Sequence, residues 1–74
     1  MQENLNENIG YRLKIARQEK ELKGYSVARK LDITAANLSQ MENGKRSVSL
    51  ENLLKFSHLY EKDVVYFLQD FVQK

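Results

Sequence analysis

The stretch Ile33-Thr34-Ala35-Ala36-Asn37-Leu38-Ser39-Gln40-Met41-Glu42-Asn43-Gly44-Lys45-Arg46 decides how this 74-residue chain is read. Thr34 has the side chain of an N-cap, a hydroxyl able to accept from an orphan backbone N–H one turn further on. Leu38 and Met41, three apart, form an inner edge with Ile33 just ahead of the cap. Ala35, Ala36, Asn37 and Gln40 fall on the outer side and are small or amide-bearing. Gly44 supplies the left-handed conformation that commonly ends a helix, and two cations, Lys45 and Arg46, follow it. The spacing therefore predicts a helix over about 35–42 with a small, uncharged, hydrogen-bonding outer face. Such a face suits the major groove of DNA, where amides meet base edges and neighbouring cations reach phosphate. Alanine and asparagine are also common on ordinary exposed helices, and Gly-Lys-Arg is an ordinary exit. The flanking segments separate the two readings.

Moving outward, the connection to the preceding helix is only Asp32-Ile33-Thr34. That helix spans roughly 24–31, with Val27, Ala28 and Leu31 as its apolar edge. So short a turn forces two helices to cross steeply, which is helix-turn-helix geometry over about 24–42. A longer helix from about Asn6 to Glu21 precedes the pair, with Ile9, Leu13 and Ala16 on one face. After the reader, Ser49 is a second N-cap candidate and opens a helix carrying Leu50, Leu53, Leu54, Phe56, Ser57 and Tyr60. Asp63 is placed to cap a fifth helix holding Val64, Val65, Tyr66, Phe67, Leu68, Phe71 and Val72.

This fifth helix is apolar around most of its circumference. Either it is clamped between the fourth and first helices, or its surplus face meets a second copy of the chain. The second reading is favoured, because exposed apolar patches mark interfaces, and it places Tyr66, Phe67, Phe71 and Val72 at a dimer contact. A two-fold dimer would set two reading helices one DNA turn apart.

Composition bounds the rest. The chain has no cysteine and no proline, and three glycines at positions 10, 24 and 44. Neither a disulfide nor a thiolate-zinc staple is available, so a domain this small relies on helix packing or oligomerisation. An all-α, compact five-helix bundle is expected as one domain over 1–74, with helices four and five, about 50–72, supplying core and dimer interface. No apolar run reaches membrane-spanning length, and the N-terminus lacks a basic region followed by an apolar stretch. The expectation is a soluble, cytoplasmic protein with no membrane contact. The net charge of +2 is mild, so the placement of the 12 cations matters more than their sum.

Catalysis finds little footing. The single histidine, His58, lies among apolar neighbours, and the acidic pairs Glu19/Glu21 and Glu61/Asp63 are two apart and do not share a helical face. No nucleophile–base pair, phosphate-cradling glycine loop or metal-ligand cluster is present, so an enzyme, a metal site and a cofactor are not expected.

Taken together, Ile9-Gly10-x-Arg12-Leu13-x-x-x-Arg17, Leu22, Val27-Ala28-x-x-Leu31-x-Ile33-Thr34, Leu38-Ser39-x-x-Glu42-Asn43-Gly44-Lys45-Arg46 and Ser49-Leu50-Glu51-x-Leu53 resemble the Cro/phage-repressor (Xre) family of helix-turn-helix regulators. The resemblance runs ungapped from about Ile9 to Leu68 and implies the lambda-repressor-like helix-turn-helix fold. It implies that Arg17 pairs with Glu42 to hold the fold. It implies base-edge contacts at Ala35, Ala36, Asn37 and Gln40, with Ser39 a weaker one. It also implies a phosphate grip at Asn43, Gly44, Lys45, Arg46 and Ser47.

Three departures stand out. Lys23 and Gly24 replace the family's serine and glutamine at the start of the second helix. The cap there is poor and the glutamine contact absent, leaving Lys23 for a plain phosphate contact or a helix starting late, near Tyr25 or Ser26. Ala35 and Ala36 form no hydrogen bonds with bases, which throws readout onto Asn37, Gln40 and DNA shape. Val48 stands where many members carry proline, a feature shared with some restriction-modification controller proteins, whose last helix is similarly apolar.

The leading expectation is a sequence-specific transcriptional regulator, a homodimer on double-stranded DNA, repressor-like if its operator overlaps a promoter. With no sensory domain in view, control would come through concentration, dimerisation or a separate regulatory protein partner. The alternative is a protein-interaction module, or an antitoxin-like regulator, whose apolar last helix binds a different protein.

Overall fold

A computed structural model of the chain describes residues 5–69. Five helices follow one another: α1 (Leu5–Glu19), α2 (Gly24–Leu31), α3 (Ala35–Glu42), α4 (Leu50–Tyr60) and α5 (Val64–Phe67). No strand occurs among the described residues, and no helix there is long and apolar enough to cross a membrane. α1 packs against α3, α4 and α5, while α2 packs against α3 and α4.

Each element buries the edge its periodicity defines. Ile9, Leu13 and Ala16 of α1, Val27, Ala28 and Leu31 of α2, and Leu38 and Met41 of α3 are all buried. They meet Leu53, Phe56 and Tyr60 of α4 and Phe67 of α5 in one core. Phe56 and Tyr60, one turn apart, stack with ring centroids 5.7 Å apart. α4 sorts its apolar residues cleanly: Leu50 and Leu54 face solvent while Leu53, Phe56 and Tyr60 face in.

The helix starts show which caps operate. Thr34 Oγ1 accepts from the Asn37 amide at 3.0 Å and Ser49 Oγ from the Asn52 amide at 3.1 Å. Asp63 has the extended backbone of an N-cap, but its side chain makes no capping bond. α2 begins at Gly24 rather than one or two residues later, with Lys23 as an extended N-cap residue lacking a side-chain bond. The carbonyl of Lys23 already accepts from Ser26 and Val27, which sets the start of the helix.

The helix ends are less ordinary. Glu21, Asp32 and Glu61 all adopt left-handed backbone, φ 56°, 62° and 57°, just beyond α1 and at the C-caps of α2 and α4. Side chains other than glycine are disfavoured there, and a carboxylate also sits at the negative end of a helix dipole. Glu61 is offset by Lys20, whose Nζ donates to it at 2.9 Å and holds its carboxyl below the usual carboxylate range.

The fifth helix corrects one expectation. Phe67 is 1% exposed and lies inside the core of its own chain, so it is not available as a dimer contact. Its neighbour Tyr66 turns to another side, half-buried, with Arg12 5.2 Å and Lys62 4.8 Å from its ring centroid. Within a single helical turn, adjacent side chains diverge by about 100°. The apolar residues therefore divide between core and surface, and Val65 takes the exposed position. Phe71 and Val72 lie outside the described residues.

Candidate nucleic-acid interface

α3 presents Ala35, Ala36, Ser39 and Gln40 to solvent, with Asn37 half-buried beside them. Its exit is a Schellman turn: Lys45 N–H donates to the Gln40 carbonyl at 2.8 Å and Gly44 N–H to the Met41 carbonyl at 3.2 Å. Gly44, at φ 75°, makes that turn and is also pressed against α1, since a Cβ there would stand 2.6 Å from Glu7 Cγ. The turn leaves Asn43, Lys45, Arg46 and Ser47 exposed in sequence order beside α3. Neither Lys45 nor Arg46 is ion-paired among the described residues. Two side-chain links join loop to helix: Arg46 Nε donates to Gln40 Oε1 at 2.9 Å and Asn43 Nδ2 to Ser39 Oγ at 3.4 Å.

The start of α2 reaches the same area. A Cβ on Gly24 would lie 3.7 Å from Leu38 Cδ2, so α2 begins alongside the middle of α3 and Lys23 is exposed at that junction. The structure thus gathers α3, the 43–47 loop and the α2 start, the three segments to which the sequence assigns contacts.

Beneath this surface lies a fixed support. Arg17 of α1 grips Glu42, the last residue of α3, in a two-pronged bond, Nε to Oε2 at 2.8 Å and Nη2 to Oε1 at 3.1 Å. Arg17 Nη1 also donates to the Leu22 carbonyl at 3.0 Å. The Glu42 side chain is 7% exposed, and its hydrogen bond holds the Arg17 guanidinium even more firmly protonated than usual. Tyr60 packs nearby, and burial pushes its phenol well above the ordinary range, leaving it neutral.

Gly10 completes the support. A Cβ at this position would fall 2.2 Å from the Met41 carbonyl oxygen and 2.7 Å from that of Glu42. The backbone of α1 therefore lies directly on the end of α3. Sequence reasoning gave Gly10 no role, although a glycine inside a helix, about 1 kcal/mol less favourable than alanine, is a signal of close approach.

A family model described as helix-turn-helix matches residues 13–67. The chain belongs to this family, the Xre type of helix-turn-helix protein. The family consists of non-enzymatic DNA-binding proteins. No curated protein sequence matches the chain. Among solved structures, this helix-turn-helix protein resembles the clp gene regulator ClgR from Corynebacterium glutamicum, with TM-score 0.84 and 27% identity over 89% of this chain and 70% of that one. It also resembles the restriction-modification controller protein C.AhdI from Aeromonas hydrophila, with TM-score 0.76 and 26% identity, covering 82% and 92% of the two chains. The DNA-binding domain of BldD shares the fold at TM-score 0.76 and 22% identity, over 90% of this chain and 97% of that one.

Proposed function

We propose that the protein is a sequence-specific transcriptional regulator that inserts α3 into the major groove of double-stranded DNA. One observation carries this reading: the exposed Ala35–Gln40 face adjoins a loop that displays Lys45 and Arg46 with no acidic partner among the described residues. Lys23, Gly24, Asn43, Gly44, Lys45, Arg46 and Ser47 set register on phosphate through side chains and backbone amides. Asn37 and Gln40, with Ser39 secondary, hydrogen-bond base edges, at about 1–3 kcal/mol of discrimination for a good paired contact. Ala35 and Ala36 add apolar contact to thymine methyl groups. The whole chain acts as one such domain.

The regulator works as a homodimer on a two-fold symmetric operator. Exposed Leu50 and Leu54 on α4 and Val65 on α5 supply apolar surface, and Phe71 and Val72 follow in the sequence. Two copies joined there would hold their α3 helices about one DNA turn apart. Clp-gene regulation and restriction-modification control, named for ClgR and C.AhdI, are the kinds of role this scaffold supports.

Selection from a random duplex pool at two salt concentrations, with mass followed by light scattering, tests this reading. A symmetric site bound by a dimer is the expected result. Sequence-blind or absent binding by a folded protein would shift the assignment to a protein-interaction module using the same exposed leucines.

A further inference from the structure

Gln40 is tied to the exit loop twice. Its backbone carbonyl accepts from Lys45 N–H at 2.8 Å, and its side-chain Oε1 accepts from Arg46 Nε at 2.9 Å. The first bond belongs to the Schellman turn and fixes where residue 46 stands relative to residue 40. The second decides the chemistry of the reader. A guanidinium carries donors only, so the Gln40 amide must turn its oxygen toward Arg46 and its NH2 group away.

That orientation changes what Gln40 can read. An unconstrained glutamine uses both halves of its amide on adenine, the oxygen accepting from N6 and the nitrogen donating to N7. With the oxygen engaged by Arg46, the outward group is a donor. A donor matches acceptor edges: guanine offers two, N7 and O6, adenine only N7 beside its N6 donor, and thymine O4, while cytosine presents only its N4 donor. Arg46 keeps its Nη groups for phosphate while Nε holds the amide, because a guanidinium has five N–H donors in a planar fork.

We propose that Arg46 is a specificity-determining positioning residue that fixes the Gln40 amide as a donor, so that Gln40 selects a base with an acceptor edge, guanine first, over adenine. This inference rests on α3 being the DNA reader.

The test compares sites selected by the unchanged protein and by Gln40→Ala, Arg46→Ala and Lys45→Ala. Gln40→Ala identifies the base position, where preference flattens. The unchanged protein should prefer guanine there, and Arg46→Ala should move the preference toward adenine by roughly tenfold, the equivalent of about 1.4 kcal/mol. Lys45→Ala should weaken all sequences alike and reduce the salt dependence. Gln40→Glu, which replaces the donor by an acceptor, should turn the same position toward cytosine. Both residues are exposed, and a helical circular-dichroism spectrum verifies that each variant is folded.

The proposal is overturned if Arg46→Ala lowers affinity evenly with every base preference intact, for Arg46 is then a phosphate contact only. It is equally overturned if the unchanged protein prefers adenine at the Gln40 position. If the unchanged protein selects no sequence at all, the DNA-reading assignment fails first, before any substitution is compared.

Discussion

The two ends of α3 are held very differently. Its C-terminal end is fixed by the two-pronged Arg17–Glu42 bond, by α1 backbone lying on the Met41 and Glu42 carbonyls at Gly10, and by Gly44 seated against Glu7. Its N-terminal end rests on one side-chain bond, in which the Asn37 N–H donates to Thr34 Oγ1, and on the buried Leu38. Ala35 and Ala36 project into solvent. The difference separates tasks: the anchored end sets where the helix points, and the free end is left for an external surface.

Substitutions that break this contrast should show a graded loss. Glu42→Ala leaves the Arg17 guanidinium largely buried without its carboxylate and should reduce unfolding free energy by about 3 kcal/mol, read by urea denaturation. Gly10→Ala forces α1 away from the end of α3 and should destabilise by about 2 kcal/mol. It should also weaken DNA binding at permissive temperature, because the helix must tilt. Thr34→Ala removes the single cap of the free end, a loss of about 1 kcal/mol. Asp32→Gly relieves a left-handed carboxylate at the α2 end, so the melting temperature should rise, by the equivalent of less than about 1 kcal/mol. At the bottom of the scale, Asn37→Ala should leave stability within about 0.5 kcal/mol and relax base preference. A large stability loss at Asn37, or none at Glu42, would erase the proposed division between anchored and free ends.

Most of the frame was legible in the sequence because it is written in periodicity. The edges of α1 and α2 and the inner side of α3 are buried as their spacing predicts, and α2 and α3 run over 24–31 and 35–42 as read. Thr34 and Ser49 act as caps because a short hydroxyl side chain needs only local geometry. What escaped depends on tertiary placement. Phe67 and Tyr66 are adjacent and both aromatic, yet one enters the core and the other lies against Arg12 and Lys62. A hydrophobicity count over a short helix does not assign those directions. The Arg46–Gln40 bond depends on how the exit turn folds back, and the left-handed Glu21, Asp32 and Glu61 occupy places where sequence rules look for glycine or asparagine. Gly10 drew no notice in the sequence, because its partner, the end of α3, lies far along the chain. The base and phosphate contacts themselves were read from residue type and family resemblance, and binding experiments decide them.

Gly10 has a consequence for how such a protein diversifies. Because α1 meets the end of α3 through main-chain atoms at Gly10, the packing of α3 on α1 there does not involve the side chains at positions 35, 36, 37 and 40. Those positions form an interchangeable vocabulary on an unchanging grammar. On the proposed reading, the recognised sequence could be rewritten one outward residue at a time, each rewritten protein keeping the same presentation of α3.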